Sequence, residues 1–550
     1  MIDLLKNYKN KFQVAETRTI SVDEKGFSIF SDNWQLFDIL PSCSAPVNEA
    51  DDIDEELIFD GIQNENNIVI CKWHSVSGCW HNKEYILKIY DSFATFQTVL
   101  HGAGTPDKLL FFKGLNGRFS QYETAGYTVP QFQDVDHERA KQLCNSEGVI
   151  LPLRCAPPPF VFPFWNEYND DWCGIGIAAP KGENDYERLH FKPVRKAGFY
   201  LELPLLGYTE IDGEWTSPLV WFGFGKDDMD IFGNYAEWTY TALGYARYHG
   251  CENAPSWWKK PIFCGWGEQC FLADERGCES RDCANQRDYE AMIERLDKIG
   301  LNPGTVFIDD GWATDSAMTV DIKKWPDLRG FVDRQHEKGR KVILWQHVWD
   351  SSGYSENTWT FSKEYKPTVD PTNPEFLKEL RKNIYRILSS DEGCCNCDGF
   401  KMDFEDNLPR QESGTVTYKK GVYGIELMRL LFEAYYKFSK EAKSDALINT
   451  SAIHPYFADI CDQIRLHDYW STTRCTVAMM SFRAALTRAV IPDVLIDTDH
   501  EHTENNQQAL MKSLADSDYG IPCLYTLSNY SDEELLEIKE NWDRYIEKIH

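Results

Sequence analysis

Between residues 305 and 406 the chain reads TVFIDDGW (305–312), KVILWQHVW (341–349) and GFKMDFED (399–406), three apolar runs that each end in polar or charged residues. The stretches between them, Leu328–Lys338 and Pro374–Ser389, place apolar residues at helical spacing, with Asp and Asn where caps are expected. Strand followed by helix, repeated, is the rhythm of a parallel sheet. Working outward, the unit recurs: IFCGWGEQ (262–269) precedes, and ALINTSAI (446–453), QIRLHDYW (463–470), DVLIDTDHE (493–501) and IPCLYTL (521–527) follow. Further helical patterns cover Gln286–Ile299, Gly421–Lys440, Cys475–Arg488, Thr503–Asp516 and Ser531–Ile549, while the loop after ALINTSAI has room for a short helix at best. Eight strand-and-helix units within residues 255–550 predict an α/β fold, a catalytic (β/α)8 TIM barrel, because an open doubly wound sheet is rarely so regular.

Upstream the rhythm differs. Residues 1–250 carry short apolar or alternating runs broken by Gly, Pro, Asn and Asp, among them NNIVICKW (66–73), EYILKIY (84–90), WCGIGIAAP (172–180) and LVWFGFG (219–225). Alternation with frequent turn residues predicts an N-terminal antiparallel β-sandwich domain. Asp230–Tyr248 reads as a helix and His249–Pro261 as a connection, which puts the boundary near residue 255.

The 550 residues, 42% hydrophobic and 14% aromatic, suffice to bury a large core. Lys and Arg number 57 against 87 Asp and Glu, a net charge of −30 that repels phosphate backbones and anionic lipid, so neither nucleic acid nor a membrane is an expected partner. The N-terminal stretch is interrupted by Lys6, Lys9 and Lys11 and reads as neither signal peptide nor membrane anchor. Seventeen cysteines, an odd number thinly spread, suit reduced thiols and predict a cytoplasmic location. Cys278 and Cys283, with Cys394, Cys395 and Cys397, make a zinc site only if folding joins them, and neither cluster has CxxC spacing. No metal or other cofactor is expected, and a homo-oligomer is left open.

In a TIM barrel the C-terminal strand ends open toward the βα loops and carry the chemistry. Here Asp309 and Asp310 end the second strand, Lys401, Asp403, Glu405 and Asp406 the fourth, Arg465, His467 and Asp468 the sixth, and Asp497 to His502 the seventh. Carboxylates converging on one mouth need a compensating substrate, cation or metal. Trp266, Trp312, Trp345, Trp349 and Trp470 lie at the same ends, and flat apolar rings beside hydroxyl acceptors suit a sugar. A small carbohydrate is therefore the predicted substrate. Cleaving a glycosidic bond takes two carboxyl groups, and Asp403 and Asp468, from strands nearly opposite on the ring, form the best pair. Lys401, on the same strand face as Asp403, is expected to hold it ionised as a nucleophile, with Arg465 serving the other site. Tyr469 and Trp470 favour a protonated Asp468, as a general acid requires.

Plainer readings stand beside these. Asp309 and Asp310 can be a capping pair, Glu405 and Asp406 solvated loop charge, and each tryptophan core. Asp497, Asp499, His500, Glu501 and His502 suit a metal-dependent barrel hydrolase or isomerase. A non-catalytic sugar-binding protein would keep the aromatics without needing the Lys401–Asp403 and Arg465–Asp468 constellation.

With these motifs in view, the chain resembles the α-galactosidase clan of glycoside hydrolases, families 27 and 36, with a distant likeness to family 31. GFKMDFED is similar to the clan's strand-four Lys-x-Asp motif, which implies Asp403 as nucleophile and Lys401 as a substrate-binding residue. FIDDGW is similar to Asp-Asp-Gly-Trp or Asp-Asp-Cys-Trp, which implies that Asp309 and Asp310 bind the sugar's 4- and 6-hydroxyls. Arg465 and Asp468 resemble the strand-six Arg and acid/base Asp, and Trp266 the strand-one aromatic wall. Where the clan usually has Asn or Cys to contact the 2-substituent this chain has Glu405, closer to the family 31 pattern Lys-Thr-Asp-Phe-Gly-Glu. The resemblance implies a retaining α-glycoside hydrolase, foremost an α-galactosidase. The alternatives are another α-glycosidase (α-glucosidase, α-xylosidase or α-N-acetylgalactosaminidase) or a transglycosidase.

Overall fold

A computed structural model describes residues 9–122, 127–128, 161–166, 170–466, 476–499 and 520–549, apart from short breaks at 33, 49, 116–117, 195–197, 253, 363–365, 406 and 410–413. Two antiparallel sheets, nine strands each among the described residues, build the N-terminal half. The first begins as a meander through Asn10–Val14, Arg18–Asp23, Gly26–Ser31 and Trp34–Ile39, and the second through Ile58–Glu65, Ile68–Ser75, Asn82–Ile89 and Ala94–Gly104. Asn82–Ile89 shows why: its residues alternate half-buried and buried, one face on the core. The sheets meet through aromatic rings, Phe27 on Phe222 at 5.6 Å and Phe37 on Phe164 at 5.3 Å, both edge to face.

Helix α1 (Asp228–Ala242) follows, starting where the Asp227 carboxylate accepts from Asp230 N. It is shorter than the predicted 230–248 because Leu243 has already left helical geometry (φ −111°, ψ 5°).

The remaining strands are parallel: β1 (Ile262–Cys264), β2 (Thr305–Ile308), β3 (Lys341–His347), β4 (Gly399–Asp403), β5 (Leu447–Thr450), β6 (Gln463–Arg465), β7 (Leu495–Asp497) and β8 (Cys523–Leu524). They neighbour one another in sequence order, with β8 beside β1, and a parallel bridge from Asp497 to Ile521 brings β7 to the β8 segment. The result is the predicted eight-stranded barrel, nearly closed. Around it lie α2 (Trp266–Arg276), α3 (Gln286–Ile299), α4 (Leu328–Glu337), α5 (Pro374–Leu388), α6 (Gly424–Ala442), α7 (Thr476–Val490) and α8 (Asp532–Ile549). After β5 comes only the short 3-10 helix Pro455–Ile460, and the helical pattern at Thr503–Asp516 lies outside the described residues.

One helix departs from the sequence reading. IFCGWGEQ stops being a strand at Cys264, and α2 begins at Trp266. Its first turn carries Glu268 under the loop after β8, where the buried carboxylate accepts from Leu527 N, Ser528 N and the Thr526 hydroxyl at 2.7, 2.9 and 2.9 Å. That polar anchor has no periodic signature. Two glycines shape the strand ends: a Cβ on Gly399 (φ 151°) would lie 2.0 Å from Leu447 O, and one on Gly311 (φ 108°) 2.4 Å from Arg281 O.

Sandwich and barrel share one buried apolar cluster running from Val14 to Trp542. Helix α1 is the seam, packing Ile231, Phe232, Tyr235 and Trp238 inward and donating from the Tyr240 hydroxyl to Val490 O on α7 at 2.9 Å.

Candidate active site

Asp403 is the last residue of β4, and its side chain is 22% exposed at the barrel mouth. Its carboxylate accepts from Arg465 Nη2 on β6 at 3.0 Å, from the Trp345 indole on β3 at 2.8 Å and from Phe404 N at 3.0 Å. Three N–H donors, one of them charged, stabilise an anion there. Phe404 has a φ of 52°, a conformation that costs a bulky residue roughly 1–3 kcal/mol. That turn aims Phe404 N back at Asp403 and leaves its ring 46% exposed against His347, centroids 4.5 Å apart.

Lys401 does not hold Asp403. Its Nζ lies 2.9 Å from Asp309 Oδ2, 3.2 Å from the Tyr525 hydroxyl and 3.7 Å from Cys264 Sγ. Two residues back along the strand is one layer deeper, so Lys401 meets β1, β2 and the end of β8 inside the barrel rather than the mouth. Burial opposes its charge, but Asp309, Cys264 and Asp499 together outweigh it, and the pKa rises well above that of an ordinary lysine. Arg465 takes the place expected of Lys401. Fully buried, it bonds Asp403 through Nη2 and Asp499 Oδ2 through Nη1, each at 3.0 Å. Tyr525 donates to Asp499 Oδ1, which completes a chain across the barrel: Asp309, Lys401, Tyr525, Asp499, Arg465, Asp403.

Since β2 ends at Ile308, Asp309 and Asp310 are free to diverge. Asp309 turns inward to Lys401 and accepts from Asp310 N at 2.9 Å, whereas Asp310 lines a cavity with Arg281 Nε at 3.2 Å. Burial pushes the Asp310 pKa up to about 6 against the pull of Arg281, with the charges of Asp309 and Asp403 adding to the rise.

Glu405 is not loop charge. It is buried, accepting from Thr450 Oγ1 at 2.6 Å and from Ser451 N and Oγ at 3.0 and 2.7 Å at the end of β5, and burial pushes its pKa up to about 7. Trp266, half-buried, opens α2 and packs against the apolar cluster that includes Cys264 and Tyr525. Trp312 and Trp349 are core, their indoles donating to Trp345 O and Glu405 O. Asp468, Trp470, His500, Glu501 and His502 lie outside the described residues. Asp497 accepts from Asn449 and Asp499 from Arg465 and Tyr525. Among the described residues no group of three or more His, Cys, Asp or Glu is disposed to hold a metal, and the two cysteine clusters do not combine into one.

The cavity, about 400 Å³, is lined by Asp310, Trp312, Trp345, His347 and Phe404, with Arg281 paired to Asp310 and Lys366 to Asp350. Aromatic faces beside carboxylates suit a hydroxylated ring. Tyr525 and Cys264 are the contributors that sequence reading missed, because each sits in a run indistinguishable from core.

No family model matches the chain, and no curated protein matches it in sequence. Solved structures match in fold. A glycoside hydrolase family 31 sulfoquinovosidase from E. rectale, with an aza-sugar inhibitor, aligns with 98% of this chain and 83% of its own at TM-score 0.57 and 10% identity. A family 97 glycoside hydrolase from Pseudoalteromonas sp. strain K8, with panose, gives 96% and 83% at 0.54 and 12%. The cycloalternan-degrading enzyme of Trueperella pyogenes, with cycloalternan, gives 97% and 71% at 0.53 and 12%, and has also been seen with a covalent intermediate. The chain thus shares its sandwich-and-barrel layout with family 31 and family 97 glycoside hydrolases.

Proposed function

We propose that the protein is a retaining α-glycoside hydrolase acting on small glycosides, with α-galactosides as the first substrates to try. The observation that carries this reading is the Asp403 carboxylate, held by Arg465, Trp345 and Phe404 N at the mouth of the barrel beside an aromatic cavity. In this reading Asp403 attacks the anomeric carbon and forms a glycosyl ester as Asp468 protonates the departing oxygen. Asp468 then takes a proton from water, the water oxygen attacks the same carbon, the ester bond breaks, and the sugar leaves with its configuration retained. Asp310, Trp345 and Trp266 are proposed to contact the sugar; Asp309, Lys401, Arg465 and Glu405 act from behind, fixing the groups that do. The resemblance to families 27 and 36 supports galactose, and the fold likeness to family 31 and the Phe404-Glu405 pair support a different α-glycoside, so both belong in one panel. We also propose a cytoplasmic location, on the strength of an odd number of cysteines thinly spread over a long chain.

The test is hydrolysis of p-nitrophenyl α- and β-glycosides by wild type and Asp403→Ala, with and without chelator. Cleavage of an α-glycoside that is lost in Asp403→Ala and indifferent to chelator is expected. Activity that survives Asp403→Ala or dies with chelator overturns the reading.

A further inference from the structure

Asp499 has no part in the steps above, yet it holds the same guanidinium as the nucleophile. We infer that Asp499, tempered by Tyr525, is a positioning residue that sets how much of the Arg465 charge reaches Asp403, an inference that rests on Asp403 being the nucleophile.

The geometry is specific. Arg465 offers Nη2 to Asp403 Oδ1 and Nη1 to Asp499 Oδ2, both at 3.0 Å, and both Arg465 and Asp499 are wholly buried. Two carboxylates sharing one cation away from water compete for it strongly, because the low local dielectric amplifies each charge. Asp499 is held for this role. Its φ of 46° turns the chain just past β7, its N–H donates to Asp497 Oδ1 at 3.0 Å, and its other oxygen takes the Tyr525 hydroxyl. Tyr525 in turn accepts from Lys401 Nζ at 3.2 Å. Among the described residues, the groups that face Asp499 are therefore Arg465, Tyr525 and Asp497 directly, with Lys401 and Cys523 adding their fields.

Charge balance through the cycle gives the arrangement its use. When Asp403 becomes an ester it loses its negative charge, and a buried guanidinium that loses an anionic partner is costly. Asp499 keeps its contact with Arg465 Nη1 whatever the state of Asp403, so Arg465 retains a carboxylate partner at the ester stage and is shared at the carboxylate stage. The Tyr525 hydroxyl satisfies part of Asp499, which leaves more of Arg465 for the nucleophile.

The two residues thus have opposite effects on Asp403. We would compare Asp499→Asn and Tyr525→Phe on the activated aryl glycoside that the wild type cleaves best, measuring kcat/KM against pH. Asp499→Asn removes a carboxylate that competes with Asp403 for Arg465, so the acid limb should move to lower pH by about one unit while kcat falls at least about tenfold. Tyr525→Phe leaves Asp499 a stronger competitor, so the acid limb should move to higher pH. Acid limbs that stay in place while both rates fall would reduce the two residues to packing and overturn the inference. If Asp499→Asn does not fold, an unmoved limb in Tyr525→Phe alone overturns it. Full turnover in Asp403→Ala would instead remove the nucleophile on which the inference rests, whatever the limbs do.

Discussion

Trp345 donates its indole N–H to Asp403 Oδ2 at 2.8 Å, across adjacent strands whose register pairs His347 with Asp403. One side chain therefore lines the cavity and orients the carboxylate beside it. Trp345→Phe keeps an aromatic face and removes the donor. A hydrogen bond to a charged group contributes about 1.5–3 kcal/mol, so kcat/KM should fall roughly 10- to 100-fold, mostly in kcat. Steady-state kinetics in which only KM rises would assign Trp345 to sugar contact alone.

The Lys401–Asp309 pair is buried on both sides, at 2.9 Å. Lys401→Met strands the Asp309 charge, and breaking such a pair costs about 3–5 kcal/mol. Adding Asp309→Asn should recover part of the loss, because the stranded charge is then gone. Urea unfolding of the two variants measures this, and equal stability of single and double variants would contradict the pairing.

Glu405 supplies a pH dependence whose sign follows from its environment. Its folded pKa of about 7 lies above the ordinary 4.5, with burial as the leading cause, so the folded chain binds more protons between those values. Stability contributed at low pH is therefore lost as pH rises from about 4.5 to 7, and above that the contribution is constant. Glu405→Gln removes that slope. Thermal unfolding at pH 5 and pH 8 should show a smaller difference for the variant than for wild type once other carboxyls are held common.

Phe404 stores strain at its φ of 52°, and its ring is 46% exposed on the cavity wall. Phe404→Gly relieves the strain and should stabilise the fold by about 0.5–1 kcal/mol while raising KM for aryl glycosides several-fold. Unfolding and kinetics on the same preparation check both halves.

The barrel is legible because each apolar run stops where charge begins, at Ile308, Asp403, Arg465 and Asp497 alike. Asp403 is legible for the same reason. What escapes a single sequence is depth along the strand. Lys401 and Asp403 share a face, and only ring closure reveals that Lys401 lies among Cys264, Asp309 and Tyr525 while Arg465 reaches the mouth. Helix α2 escapes because Glu268 fixes it through a loop more than 250 residues away in sequence. Asp499 looks like a metal ligand beside His500 and His502 until Arg465 and Tyr525 are seen to occupy it.

Retention through a double displacement requires that Asp403 become covalently bonded to the sugar. A fluorinated α-glycosyl fluoride that slows ester hydrolysis, matched to the sugar the wild type cleaves, traps that ester for peptide mapping. One equivalent of label is expected on the peptide containing Asp403, and none on Asp403→Ala. Label on a different carboxylate, or an unlabelled enzyme that releases the inverted sugar, would contradict it.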